Sequence, residues 1–198
     1  SIVPFLTGTN LYGSILSGGP AVTSNIMISS IRMLSTGVLV VVYGVDPGGS
    51  DALRIVTCTT GGAWGTPQVI ATDSGSILNI GMSCVPDSAG RAHLLYLADD
   101  IAGGGGHNKV MHYARFSGST VGSDTVIETT PFSDFPYPNQ GTGVYDAAND
   151  RVLFPYQFDY QFTADGAGLI LVNAASTAPA IVEDIVIPYD ANKAYFGV

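Results

Sequence analysis

The chain has 198 residues, a formal net charge of −9 and 12% charged residues, about half the usual share of roughly 25%. Its five arginines and two lysines do not form the basic clusters that phosphate recognition needs, so nucleic acid is not an expected partner. The longest continuous apolar run, Val38 to Tyr43, is too short to span a bilayer, and no basic segment followed by an apolar stretch marks a signal peptide.

With 25 Gly and 11 Pro, short apolar runs rich in Val, Ile and Tyr, and no sustained 3.6-residue period, the chain reads as all-β. It starts at Ser1, from which a processed product or a piece of a longer protein is expected. Ser1 to Leu6 and Leu11 to Leu16 read as two strands, and Ser24 to Leu34 as strand and turn. A unit then recurs: strand, short polar turn, and a second strand closing on tyrosine. It runs from Arg32 to Tyr43, from Ser83 to Tyr96 and from Val144 to Tyr156, with the closing tyrosines 53 and 60 residues apart. A truncated copy begins at Tyr189.

Each unit continues past its tyrosine. In the first, the loop Gly44 to Ser50 leads to strands Ala52 to Cys58 and Gly65 to Ala71. In the second, Asp99 to Asn108 is a glycine-rich loop before Lys109 to Phe116 and Asp124 to Glu128. In the third, Asp159 to Gly166 leads to Gly168 to Asn173 and Ala180 to Val186. Four strands joined as a meander are a β-propeller blade, and a repeat of this length signals one supersecondary module used several times. The expected fold is therefore an all-β propeller of four-stranded antiparallel blades, near 21–71, 76–128 and 138–186, with 1–18 and 187–198 as parts of another. If the two ends meet, the chain closes as a four-bladed ring with its last blade shared by both termini. Because the chain stops inside a unit, self-association or a longer parent protein is the expectation preferred, since an open strand edge invites such pairing.

The strand, Asp-x-x-Gly turn, aliphatic strand ending in Tyr and Trp-x-x-Pro stretch resemble the repeats of sialidase-like (BNR-type) propellers. Thr57 to Trp64 lies where that family carries its Asp box, Ser-x-Asp-x-Gly-x-x-Trp: Gly61 and Trp64 match, Thr57 stands in for Ser and Thr59 replaces Asp. The second unit has Ser117 and Gly118 at the comparable turn but no Trp. The resemblance implies a propeller and assigns the box a structural role, so it predicts packing for Trp64 and no chemistry. A sialidase site would need an arginine cluster around a carboxylate. Of Arg32, Arg54, Arg91, Arg115 and Arg151, only Ser30-Ile31-Arg32-Met33 approaches the family's first arginine motif, without its proline. Arg54 and Arg115 read as similar third-strand positions of successive blades.

No catalytic set emerges. His93, His107 and His112 lack metal-ligand spacing, and His93 and His112 read as satisfied sheet residues. No Gly-x-Ser-x-Gly elbow is present. Asp99 and Asp100 are adjacent rather than alternating, so the glycine-rich loop reads as an insertion without a metal or other cofactor, with Ca²⁺ the lesser alternative. Cys58 and Cys84 read as buried thiols, with an inter-blade bridge as the alternative in an oxidising compartment.

The third unit carries the one surface with binding character. Phe135, Tyr137 and Asn139 before its first strand, and Tyr156, Asp159 and Tyr160 leaving its second, combine aromatic faces with amide and carboxylate groups, as a sugar site requires. Blade-to-blade packing is the competing account of the same aromatics. The expected function is a non-catalytic, lectin-like or structural module outside the cytoplasm or on a phage or virus surface, with a glycan, a protein receptor or neighbouring structural proteins as partners. A fragment of a sialidase-like glycoside hydrolase is the alternative.

Overall fold

The computed structural model describes residues 26–45, 51–73, 82–99, 109–122, 125–128, 136–138, 143–158, 166–176 and 181–187. Every regular element among them is a strand. Blade 1 comprises β1 (Ile26–Met33), β2 (Leu39–Val45), β3 (Asp51–Cys58) and β4 (Gln68–Asp73). Blade 2 comprises β5 (Met82–Pro86), β6 (Ala92–Asp99), β7 (Lys109–Phe116) and β8 (Thr125–Glu128). Blade 3 comprises β9 (Pro136–Pro138), β10 (Val144–Asp146), β11 (Arg151–Phe158), β12 (Gly166–Asn173) and β13 (Ile181–Ile187). In each sheet four consecutive strands pair antiparallel, which is the propeller meander, and in blade 3 the short β9 pairs with β11 beside β10. The parts of the chain expected to form a further, partial blade lie outside the described residues, apart from Ile187 at the end of β13.

The turn between the first and second strands sets the repeat. Leu34 N–H donates to Val38 O (2.8 Å) and Gly37 N–H to Leu34 O (2.9 Å), with Gly37 at φ +82°. In blade 2, Asp87 N–H donates to Arg91 O (3.0 Å) and Gly90 has φ +79°. Left-handed backbone costs an L-residue roughly 1–2 kcal/mol and costs glycine little, which is why glycine recurs here. Blade 3 fills the position with Asp150 at φ +48°, one of the residue types that tolerate it. Gly37, Gly90 and Asp150 each stand six residues before Tyr43, Tyr96 and Tyr156, so turn and tyrosine align the three blades residue by residue.

The aligned tyrosines point the same way. Tyr96 is buried in a cluster with Leu34, Val40, Val42, Leu53, Ile55 and Ile70 of blade 1, and Tyr156 in one with Val85, Leu95, Met111 and Tyr113 of blade 2. Tyr43 is buried with Val41, Val45 and Val56 on the face of blade 1 turned away from blade 2. Each blade thus offers its tyrosine face to the blade before it. Full burial of a side chain of Leu or Phe size contributes about 1.5–3 kcal/mol, so these two inter-blade clusters dominate the packing energy. First strands of successive blades touch one another, β1 with β5 and β5 with β10, which places them on the inner side of the fan.

Blade 3 departs from the pattern at its first strand. β9 and β10 both pair with β11, Pro138 opposite Tyr156 and Val144 opposite Leu153, leaving Phe154 and Pro155 between the two pairings. Pro155 has no N–H for a ladder, and it sits where the first-strand ladder is interrupted. Gly143 directly precedes β10, and a Cβ there would fall on Val85 and within 2.8 Å of Ser83 Oγ, so only glycine fits between blades 2 and 3. Cys58 and Cys84 are both free and buried, and burial pushes the Cys84 thiol up to about 12. No helix among the described residues is long and apolar enough to cross a membrane.

Candidate functional site

The residues assembled with chemical potential lie between blades 2 and 3, at the end of the sheets that carries the tight turns. Asp87 opens the β5–β6 turn, and its Oδ1 accepts the N–H groups of Ala89 (2.9 Å) and Arg91 (2.9 Å). Its Oδ2 accepts from Arg91 Nε and from His93 Nε2 (3.0 Å). A short polar side chain that binds its own turn amides is the sequence-local reason for Asp at this place. Since β6 begins at Ala92, the next residue, His93, points to the blade 3 side, where its Nδ1 lies 2.6 Å from Tyr113 Oη of β7. An ionised carboxylate only accepts, so Nε2 carries the hydrogen and Nδ1 accepts from the tyrosine hydroxyl. The Tyr113 ring meets Phe154 of blade 3 edge-on at 6.3 Å and 74°.

Every member is enclosed. His93 is 0%, Tyr113 1% and Asp87 4% exposed. Burial pushes His93 down from its ordinary value; the Asp87 carboxylate offsets this only in part, and Arg91 and Arg115 add to it. For Asp87, burial alone would raise the carboxyl, but the bonds from His93 and from Arg91 outweigh it and hold it below the usual range. Burial raises the Tyr113 hydroxyl strongly. An Asp–His–Tyr relay that no substrate can touch is a structural lock, and a general base would need reach to a reacting proton.

The lock continues outward. Arg91 Nη2 stands 3.7 Å from Asp150 of the β10–β11 turn, Asp150 Oδ1 accepts the Tyr145 hydroxyl (2.7 Å), and Tyr145 Oη lies 3.1 Å from Ser88 Oγ. Arg115 donates from Nη1 to the carbonyls of Ala174 (3.1 Å) and Ser176 in blade 3. On the other side, Arg32 Nε donates to Cys84 O (3.1 Å), tying blade 1 to blade 2. Arg151 pairs with Asp146 (3.5 Å), and Arg54 faces its cross-strand neighbour Tyr43, whose hydroxyl it partly offsets against the upward push of burial. All five arginines therefore serve the scaffold.

Register corrects one sequence expectation. Tyr43 pairs with Arg54, and the equivalent Tyr96 pairs with His112, so Arg54 corresponds to His112. Arg115 pairs with His93 and corresponds to Thr57, opposite Val40. Being three residues apart, the two arginine positions lie on opposite faces of their sheets. His112 stacks on Tyr96 (5.5 Å, 15°).

Of the proposed binding residues, Tyr156 is 2% exposed in the blade 2–blade 3 core, where its ring serves packing. Tyr137 is the middle residue of β9, opposite Gln157. Phe135, Asn139, Asp159 and Tyr160, and the side chain of Tyr137, lie outside what the structure describes. Among the described residues no three His, Cys, Asp or Glu side chains come together as a metal site. In the Asp-box-like hairpin, Ala63 N–H donates to Thr59 Oγ1 (3.2 Å), Gly62 has φ +82°, and Trp64 packs against the Val41 to Val56 face of blade 1. The residue that sequence reasoning missed is Asp87. Its signal was present as an Asp opening a hairpin turn with a His six residues on, where the turn returns the chain beside itself.

No protein-family model matches this chain, and no curated protein matches it in sequence. Among solved structures it is similar to an alpha-L-arabinanase of Penicillium chrysogenum complexed with arabinobiose, with TM-score 0.53 and 15% identity over 80% of this chain. Together with the blade topology, that likeness makes the fold a β-propeller, of a kind shared with a glycosidase. The chain spans about half of the arabinanase, 48% of its length.

Proposed function

We propose that this chain is a non-catalytic propeller module that binds a glycan or a glycan-bearing receptor, or assembles with structural neighbours, outside the cytoplasm or on a virion surface. The observation that carries the reading is the commitment of all five arginines to carbonyls, aspartates and a tyrosine of the scaffold. A sialidase-like site draws its carboxylate-binding power from a cluster of free arginines around the axis. Here each arginine has at least one scaffold partner, with only Arg54 Nε and Arg151 Nε left unpaired among their buried atoms. Support for sugar as the ligand class comes from the similar propeller, which was captured with a disaccharide. The aromatic and amide residues of the third unit, Phe135, Tyr137, Asn139, Asp159 and Tyr160, are those we assign to it.

The second reading, a fragment of a sialidase-like or other propeller glycoside hydrolase, is favoured by the same likeness to an enzyme, of which this chain matches half the length. A glycan array and a hydrolysis assay on arabinan and a fluorogenic sialoside separate the two. The expected result is array binding without release of sugar, weakened about tenfold in Tyr137→Ala or Tyr160→Ala, equivalent to about 1.4 kcal/mol. Turnover of either substrate overturns the non-catalytic reading; absence of any glycan signal overturns sugar as the ligand.

A further inference from the structure

We propose that the Asp87–His93–Tyr113 array makes the blade 2–blade 3 interface an acid-sensitive joint: a proton taken up by His93 loosens blade 3 from blade 2 and leaves blade 1 packed on blade 2. This goes beyond the binding reading and does not depend on it.

The hydrogen-bond arithmetic comes first. Neutral His93 donates once, to Asp87, and accepts once, from Tyr113. An added proton must sit on Nδ1, turning it from acceptor to donor. The Tyr113 hydroxyl hydrogen then loses the partner it has among the described residues, inside a site where Tyr113 is 1% exposed. Leaving a buried donor unsatisfied costs about 1–3 kcal/mol. The Tyr113 ring is what blade 2 offers to Phe154, so displacement of the hydroxyl acts directly on the inter-blade contact.

Burial works in the same direction and outweighs Asp87, which favours the proton, while Arg91 and Arg115 oppose it. The groups facing His93 are Asp87 of the turn, Arg91 just before β6, and Tyr113 and Arg115 of β7; β11 brings the apolar Phe154, and the Asp150 carboxylate of blade 3 is engaged by Arg91. Asp87 already shares its Oδ2 with Arg91, so a new cation meets two arginines and a carboxylate that is largely used. Because burial holds folded His93 below the free imidazole value of about 6.5, the unfolded chain binds the proton more readily. The array's stability is therefore complete above about pH 6.5 and is lost as pH falls below it. Asp87, also held below its ordinary value, adds a loss only at lower pH. The blade 1–blade 2 side holds no such relay among the described residues: its one imidazole there, His112, meets the cluster as a ring stacked on Tyr96 (5.5 Å, 15°), and its Cys84 thiol stays protonated throughout.

Amide hydrogen exchange at pH 7.5 and 5, corrected for intrinsic pH dependence, tests the joint. Protection of β7, β11 and β12 amides is expected to fall about tenfold more than that of β2 and β3, the lower end of what one unsatisfied buried donor costs. A uniform fall, or none, overturns the proposal. His93→Gln cannot take up the proton and is expected to abolish the differential loss; its persistence overturns the proposal. Should that variant not fold at pH 7.5, the wild-type imidazole decides by NMR. Titration displaced to acid together with β11 and β12 shifts supports the joint, and titration at the ordinary value with those amides unmoved overturns it.

Discussion

The two inter-blade interfaces place different chemistry at equivalent positions. Aligned on turn and tyrosine, Leu34, Val40 and Ile55 of blade 1 correspond to Asp87, His93 and Tyr113 of blade 2. All six are buried, and each triplet faces the following blade. The first interface is sealed by aliphatic contact, supplemented at its rim by Gln68, which donates to Ser119 O (2.6 Å) and accepts from Val121 N–H (3.0 Å). The second is sealed by a hydrogen-bonded relay backed by an aromatic pair. One backbone plan therefore accepts either solution, provided that the three side chains agree with one another. Apolar contact tolerates small errors at a graded cost, whereas a buried polar set is all-or-none.

The sharpest way to break the comparison is to truncate one member on each side. Asp87→Ala strips acceptors from two turn amides, Arg91 and His93 at once, and removing one partner of a buried charged set typically costs about 3–5 kcal/mol. Leu34→Ala, at the same place in blade 1, loses contact and leaves a cavity at a cost of about 2–5 kcal/mol, least where the neighbouring turn can close over the space. Urea unfolding of both variants at pH 7.5 measures the difference, with the aspartate variant expected to be the weaker.

How much of this was legible beforehand follows from how far apart the cooperating residues stand. The hairpin signal is local: a left-handed position six residues before a tyrosine, with aliphatic residues between, is visible in one strand pair, and it gave the blades. The relay joins a turn, a second strand and a third strand across a loop, so it depends on register that no local pattern specifies. The same blindness produced the pairing of Arg54 with Arg115. Counting eleven residues from each tyrosine sets Arg54 against His107, because the loop Gly44 to Ser50 is shorter than Asp99 to Asn108, so position along the chain cannot supply the third-strand match. Ladder pairing instead aligns Arg54 with His112. Pro155 inside an apolar strand was a readable sign of the place where β9 and β10 exchange on β11, Phe154 and Pro155 lying between their two pairings.

A smaller effect sharpens the comparison instead of breaking it. If the two triplets are interchangeable solutions, then Asp87→Leu combined with His93→Val and Tyr113→Ile should reproduce the first interface in the second. The three relay side chains leave together, so none of them is stranded, although the Ala89 and Arg91 amides and Arg91 Nε lose their Asp87 acceptor. Well-packed apolar replacements of buried ionic sets are often close to neutral. Ile is smaller than Tyr, so some contact with Phe154 is lost. The triple variant is expected within about 2 kcal/mol of wild type at pH 7.5, far less than the sum of its single changes, and without the acid step. Thermal unfolding across pH 5–8 for the triple and the three singles measures both quantities. Additive losses would show that the blades do not share one plan.

The smallest expected effect lies at the turn where blade 3 substitutes for glycine. Asp150 holds φ +48° in place of Gly37 and Gly90, and relief of left-handed strain in Asp150→Gly should return about 1 kcal/mol. Against that, the change removes the acceptor of the Tyr145 hydroxyl and the partner of Arg91. A partly exposed hydrogen bond is worth about 1 kcal/mol, and the 3.7 Å ion pair, at a side chain 43% exposed, adds little. The two terms oppose and nearly cancel, so denaturation should place Asp150→Gly within about 0.5 kcal/mol of wild type. Asp150→Asn separates them, since it keeps tolerance of the left-handed backbone and an acceptor for Tyr145 while losing the charge opposite Arg91. A loss in Asn as large as that of Asp87→Ala would mean that the Arg91–Asp150 pair, and not the buried relay, joins blade 3 to blade 2.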